Sequence, residues 1–241
     1  MKDVDERVLK VAIVGLGKMG LLHASLLNVL PNVKLVALCD KSGLIRRISG
    51  QLFRDVQITD DVEQLAGLDL DAIYITTPIP THFSIAKIIY SKEISRNLFV
   101  EKTLAANCDG AKKMCELAKV SGGVTMVGYM KRFGVTFKKV KELLSEKFLG
   151  ELVSFDAYAY SSDFVDVKEG SVSGSRGGVL GDLGSHVVDV ALWLFGDFKV
   201  DSAKLKSLNS LGTEDCASFK VNDFHGLQGQ FDISWCMKEF R

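Results

Sequence analysis

Residues 9–20 read LKVAIVGLGKMG: a short, largely apolar run interrupted only by Lys10, glycines at 15, 17 and 20, then a stretch with helical spacing that runs to Pro31. A buried strand that passes through a glycine turn into a helix is the opening of a βαβ unit, and it leaves few architectures open. Gly15 permits a tight turn, Gly17 lets the backbone approach a pyrophosphate at the helix N-terminus, and Gly20 lets helix and strand pack closely. Glycine turns are common, so this spacing alone decides little. A second strand, KLVALCD (34–40), ends in Asp40, twenty residues after Gly20, where a ribose-binding carboxylate is expected. The cofactor contacts expected from this stretch are Gly15, Leu16, Gly17, Lys18, Met19, Gly20 and Asp40. Asp40 would accept hydrogen bonds from a ribose 2'-hydroxyl and repel a 2'-phosphate, which favours NAD; Arg46 and Arg47 lie near enough in sequence to keep NADP open. The alternative reading of Asp40 is a helix cap. Met19, Leu22, Leu26 and Leu27 lie on one face of that helix.

The rhythm continues. DAIYITTP (71–78) is a third strand, followed by a helix carrying Ile85, Ile88 and Ile89. Ligands of such sheets bind beyond the carboxyl ends of the strands, so Thr76, Thr77 and Pro78 should border the crevice, with His82 in the first turn of the helix beside them. NLFVEK (97–102) ends in Glu101 and Lys102, which point the same way, and Asn107 caps the next helix. After VTMVGYM (124–130) the pattern changes, which sets domains at 1–126 and 127–241. The second half holds a helix at 136–148, whose Lys138, Lys139 and Lys141 read as its solvated face. ELVSFDAYAY (151–160) alternates like a half-exposed antiparallel strand, and a polar, glycine-rich loop spans 161–181. Two late strands, CASFKVNDF and LQGQFDISW, are joined by a tight turn from Phe224 to Leu227. The fold class is α/β: an N-terminal doubly wound parallel sheet of Rossmann type, then an α+β domain with a large, mostly antiparallel open sheet.

Within GGVLGDLGSHVVD, Asp182 and His186 stand four apart and so share a helix face; Asp189 extends that stripe, while Leu183, Val187, Val190, Ala191 and Leu194 form a separate apolar one. A neutral histidine suits proton transfer near neutral pH, with a carboxylate to orient it. The competing reading makes Asp182 an N-cap and His186 an interior histidine bonded to it. A metal site is not expected, because Asp182, His186 and Asp189 lack a further clustered ligand. Thirty basic and thirty acidic residues cancel, which removes the field that nucleic acid or an anionic membrane would require. No apolar run approaches the roughly 18 residues of a membrane span. The five cysteines are odd in number with no C-x-x-C pair, so they read as reduced, mostly buried thiols of a cytoplasmic protein.

GLGKMG with Asp40, TTPIPTH, VEKT, GYMKRF and GGVLGDLGSHVVD together resemble the Gfo/Idh/MocA oxidoreductases, the family of glucose-fructose oxidoreductase and inositol 2-dehydrogenase, from about residue 10 onward. The resemblance implies a hydride transfer between NAD or NADP and a hydroxyl-bearing carbon of a sugar, cyclitol or related polyol, and a homo-oligomer assembled through the C-terminal sheet. It also implies roles. Lys102 matches the lysine of a Glu-Lys-Pro motif that contacts substrate near the nicotinamide, Asp182 and His186 match an active-site pair whose histidine is the acid/base, and Met130 and Arg132 match a segment lining the substrate pocket. Thr103 stands where the family usually has proline, which leaves the backbone after Lys102 less restrained. The chain also stops at Arg241, where family members continue through more sheet and a terminal helix, so the sequence reads as a fragment or a short member. The alternative function is a non-catalytic dinucleotide-binding sensor or partner subunit with the same fold.

Overall fold

The computed structural model describes residues 7–148, 150–162, 178–208 and 213–237. Most of the loop expected at 161–181, Gly177 included, lies outside the described residues. The chain divides into two compact units, Met1–Gly128 and Tyr129–Arg241.

The first unit is a six-stranded sheet in the order β3-β2-β1-β4-β5-β6, every neighbouring pair of which is parallel. Its elements are β1 (Leu9–Val14), α1 (Lys18–Asn28), β2 (Val33–Cys39), α2 (Gly43–Leu52), β3 (Gln57–Thr59), β4 (Ala72–Ile75), α3 (His82–Ser91), β5 (Leu98–Val100), α4 (Cys108–Ser121) and β6 (Thr125–Val127). The strand order reverses between β1 and β4, the switch point beyond whose carboxyl ends ligands of such sheets bind. The run that opens the chain is buried on both faces: Ala12 and Val14 enter one core cluster, Val11 and Ile13 the other. That is why it reads as continuous apolar sequence and not as alternation. β3, at three residues, is too short for periodicity to reveal.

Of the apolar face read for α1, only Leu27 is buried. Gly20, Ala24 and Leu27 are its buried residues, whereas Met19, Leu22 and Leu26 are exposed. Small residues let this helix sit close to the sheet, so the packing face runs through Gly20 and Ala24 and not through the largest side chains. α4 is capped as expected at its start, where the Asn107 side chain accepts from the Gly110 N–H, and Gly122 closes the helix in the left-handed conformation at φ 65°.

The second unit has α5 (Val135–Ser145), β7 (Ser154–Tyr160), α6 (Ser185–Phe195), β8 (Lys199–Lys206), β9 (Cys216–Asn222) and β10 (Gln228–Ser234), with strand order β7-β10-β9-β8. β9 runs antiparallel to both neighbours, but β7 pairs parallel to β10, from Ser154 opposite Gln228 to Tyr160 opposite Ser234. The expected antiparallel setting of β7 is therefore corrected. Alternation reports which face is buried and carries nothing about a partner's direction. β8 escaped the sequence reading because all eight of its residues are exposed and no apolar face marks it. The turn after β9 is held by the Asp223 carboxylate, which accepts from the His225 and Leu227 N–H groups. The core of this unit centres on Phe231, fully buried and stacked on Phe219 with ring centroids 4.5 Å apart.

Lys141 also departs from expectation. Its ammonium donates to the Trp193 carbonyl at 2.6 Å, at the C-terminal end of α6, where a cation meets the negative end of the helix dipole. Of the cysteines only Cys39 is fully buried; Cys108 and Cys115, seven apart on the outer face of α4, are exposed, and Cys216 and Cys236 are half-buried. An outward-facing stripe accepts cysteine as readily as a core does. No helix among the described residues is long and apolar enough to cross a membrane.

Candidate cofactor site and active site

In the first unit the glycine turn is held by its neighbours. Gly15 has φ 97°, and a Cβ there would lie 2.7 Å from the Thr77 backbone nitrogen; a Cβ at Gly20 would overlap the Gly15 carbonyl. Both positions exclude side chains, one by conformation and both by space. Thr76, buried, donates its hydroxyl to the Gly15 carbonyl at 2.6 Å. It supports the turn from beneath, while Thr77 is half-buried and Pro78 is exposed. Gly17 caps α1 without a side-chain hydrogen bond, and a Cβ placed on it meets nothing within 4 Å. No side chain accepts from the first amides of α1 at the cap, and the space beside Gly17 is open, which suits an anion. Lys18 and Met19 are exposed in the same turn.

Asp40 closes this arrangement. One carboxylate oxygen accepts from the Leu16 N–H at 2.6 Å and the other from the Ser42 N–H at 2.8 Å. The side chain of Leu16 itself is fully buried, so its backbone is what it brings to the turn. Ser42, not Asp40, caps α2, so the capping alternative for Asp40 falls. Arg46 is turned to the Asp40 and Lys41 carbonyls, at 2.7 and 2.9 Å, and pairs with Asp60. An uncapped helix N-terminus beside a half-exposed carboxylate fits the pyrophosphate and the ribose diol of a dinucleotide.

His82 departs most from its expected place. It is fully buried, with Nε2 2.7 Å from the Thr77 carbonyl and Nδ1 3.0 Å from the Thr103 carbonyl. Carbonyls only accept, so both bonds form together only when both ring nitrogens carry hydrogen. The histidine ties the end of β4 to the segment after Lys102 instead of bordering the crevice. Thr103 is accordingly restrained through its carbonyl, and the Lys102–Thr103 peptide is cis.

Glu101 sits beside Lys102 with a partner that sequence reading missed. Its Oε1 lies 2.9 Å from His23 Nε2 and its Oε2 accepts from the Lys102 N–H at 3.1 Å. Burial pushes this carboxyl up, but the His23 hydrogen bond and the Lys102 N–H outweigh it and hold the group below the usual glutamate range. The signal for His23 was present: Gly20, His23 and Leu27 are spaced three and four apart, on the face of α1 that packs on the sheet.

The second unit carries the Asp182–His186 segment. A π-helical turn, Leu180–Gly184, leads into α6, and Asp182 lies inside that turn; the residue capping α6 is Gly184, so Asp182 is not the N-cap. Within the turn the Asp182 N–H donates to the Gly178 carbonyl, and the Asp182 carbonyl accepts from the Ser185 hydroxyl at 2.8 Å. His186 is half-buried and meets the edge of the Tyr129 ring, with centroids 6.4 Å apart at 88°. It lines a cavity of about 570 Å³ together with Tyr158 and Tyr160 of β7 and Val187, Val190 and Leu194 of α6. The apolar stripe and the histidine therefore open on one cavity, contrary to the expected separation of stripes.

Arg132 and Asp189 form a bidentate pair, Nε to Oδ2 at 2.9 Å and an Nη to Oδ1 at 2.6 Å. Asp189 is 7% exposed and Arg132 41%. The pair pins the Met130–Phe133 turn to α6, so the guanidinium expected to line a substrate pocket is engaged by a buried carboxylate. Burial, and then the Asp189 charge, push the Tyr129 hydroxyl up. Met130 is exposed.

Among the described residues one group of potential metal ligands clusters, Asp215, Cys216 and Cys236. Burial and the neighbouring Asp215 carboxylate push the Cys236 thiol up to about 11, and Asp215 accepts from the Leu208 N–H at 2.8 Å. A protonated thiol and an occupied carboxylate make a poor donor set.

Fold and site together define a two-unit architecture: a Rossmann unit with the geometry of a dinucleotide site, followed by an α+β unit bearing Asp182 and His186. The model of an oxidoreductase family with an NAD-binding Rossmann fold matches residues 9–129, and that of the GFO/IDH/MocA C-terminal domain matches residues 137–241; the chain belongs to the Gfo/Idh/MocA family. It is 28% identical over 198 residues to scyllo-inositol 2-dehydrogenase (NAD(+)) of Bacillus subtilis, covering 79% of this chain and 55% of that protein. Against D-glucoside 3-dehydrogenase of Escherichia coli it is 26% identical over 218 residues, covering 88% and 61%. Among solved structures, GenD2 from gentamicin A biosynthesis in complex with NAD superposes with a TM-score of 0.85 at 26% identity, covering 97% of this chain and 68% of that one. The chain thus spans a little over half the length of the curated relatives it matches.

Proposed function

We propose that this protein is an NAD-dependent oxidoreductase that transfers hydride between the cofactor and a hydroxyl-bearing carbon of a sugar, cyclitol or related polyol. The observation that carries the reading is the Asp40 carboxylate beside the uncapped α1 N-terminus, in a chain of the Gfo/Idh/MocA family. The α1 amides, Gly17 and Lys18 hold the pyrophosphate; Asp40 holds the adenosine ribose and repels a 2'-phosphate, so NAD is preferred over NADP. When bound, the nicotinamide supplies the hydride acceptor or donor.

The chain's own residues move the proton. His186 takes the hydroxyl proton of the alcohol as the carbon is oxidised and returns it in reduction. Asp182 orients the imidazole and stabilises its protonated form, and the Lys102 ammonium hydrogen-bonds the reacting oxygen, stabilising the charge that develops there. Arg132 acts through Asp189 by fixing the turn that carries Met130 beside the substrate. Inositol and glucoside dehydrogenases among the relatives support a polyhydroxylated substrate. A cytoplasmic location and a homo-oligomer formed through the second sheet belong to the same reading, the latter supported by the wholly exposed strand β8.

The test is to titrate the protein with NAD and with NADP, then follow NADH absorbance with a panel of cyclitols, hexoses and methyl glucosides. The reading expects tighter binding of NAD and turnover with at least one member. Equal or preferential binding of NADP contradicts the role of Asp40, and binding without turnover across the panel contradicts the polyol reading.

A further inference from the structure

We infer that His23 is a positioning residue for Lys102, acting through Glu101; the inference rests on the reading of Lys102 given above. The chain of contacts is continuous within the first unit. His23 Nε2 donates to Glu101 Oε1 at 2.9 Å, and Glu101 Oε2 accepts the backbone N–H of Lys102 at 3.1 Å. Each oxygen of one carboxylate is thus committed to a different element, one to α1 and one to the segment that leaves β5.

The slot around the pair is built for it. The His23 and Glu101 side chains are only 19% and 14% exposed, so their contact is little screened by solvent. The imidazole packs against both Phe99 and Tyr74, with ring centroids at 5.0 and 5.6 Å, and those two rings stack on each other at 4.7 Å. From the far side Gly128 leaves room for the carboxylate: a Cβ there would lie 3.2 Å from Glu101 Oε2 and 3.1 Å from Phe99 Cζ. A glutamate confined in this way has little rotamer freedom left, and it holds the amide of the next residue in one orientation. The Thr103 carbonyl, on the other flank, is held by His82. The backbone that carries Lys102 is therefore fixed on both sides, and on one side the fixing runs to the helix whose N-terminus holds the pyrophosphate. Neither oxygen of Glu101 needs to touch a ligand for this work, which gives the carboxylate a role other than the cofactor contact expected of it.

The experiment compares wild type with His23→Leu, which keeps bulk and removes the donor, and His23→Gln, which restores a donor. The Lys102 amide proton, read by NMR in protein labelled with ¹⁵N-lysine, reports the carboxylate bond without need of turnover. It should move upfield in His23→Leu and return towards wild type in His23→Gln. With an active enzyme, His23→Leu should lower kcat about 10- to 100-fold while the KM for polyol and the Kd for NADH stay within about twofold, and His23→Gln should recover most of the loss. A Lys102 amide that does not move in a folded His23→Leu protein overturns the inference, and so does an unchanged kcat when the amide has moved. If wild type turns over no polyol but the amide responds as expected, the functional reading fails while the positioning of Lys102 by His23 stands. Should His23→Leu not fold, Gly128→Ala, which crowds the same carboxylate, takes its place with the same two readouts.

Discussion

The two units build their sites from different materials. In the first, the side chains around the glycine turn bind backbone: Thr76 holds the Gly15 carbonyl, Asp40 the Leu16 amide, and His82 the Thr77 and Thr103 carbonyls. In the second, the contact that pins the Met130–Phe133 turn to α6 joins two side chains, Arg132 and Asp189. The difference teaches what each can tolerate. A pair of side chains can be replaced together by an apolar pair, whereas a main-chain carbonyl stays polar whatever faces it.

The largest expected effect lies at His82. Replacing it with leucine leaves the half-buried Thr77 and Thr103 carbonyls without the ring that bridges them, at a cost of about 2–4 kcal/mol in urea unfolding, and no second side-chain change at 77 or 103 should restore it. Full recovery by a substitution at Thr77 or Thr103 would break the comparison. In the second unit, Arg132→Met strands the Asp189 carboxylate; because the guanidinium is 41% exposed, the loss is reduced to about 2 kcal/mol. The double variant Arg132→Met with Asp189→Leu should return most of that loss in a double-mutant cycle, and no recovery would place the two sites on the same footing.

Smaller effects sharpen the picture of the first unit. Asn107→Ala removes one cap from α4 and should cost about 1 kcal/mol, read from the shift in urea midpoint. Glu101, held below the usual glutamate range, contributes stability that is fully present above its unfolded pKa of about 4.3 and is lost as pH falls through the folded value. As pH falls below the unfolded value and through the lower folded one, wild type should therefore lose more stability than Glu101→Gln. Parallel curves would remove His23 and Lys102 as its stabilising partners.

What could be read from the sequence follows the same division. The glycine spacing at 15, 17 and 20 and the carboxylate at 40 are positional requirements of a turn and a strand end, so they stand in the sequence in the open. The doubly wound sheet was legible for the same reason. The face of α1 was not, because Gly20 and Ala24 pack by being small, and hydrophobic periodicity weighs size in the other direction. Nor was the direction of β7, which alternation does not encode. Lys102, Asp182 and His186 were proposed from a strand end, from helical spacing and from a family motif; the helix-face spacing of His23 was legible too, but its partner Glu101, like the Arg132–Asp189 pairing, depends on contacts between residues 78 and 57 positions apart, which no local pattern carries.

The central claim is that His186 transfers the proton in an NAD-dependent polyol oxidation. It is tested most directly by measuring kcat at saturating NAD for wild type and His186→Ala, with the NADH Kd of both. The account predicts a loss in kcat of at least about 100-fold with the Kd within about twofold. A variant that turns over at the wild-type rate while binding NADH normally would contradict it.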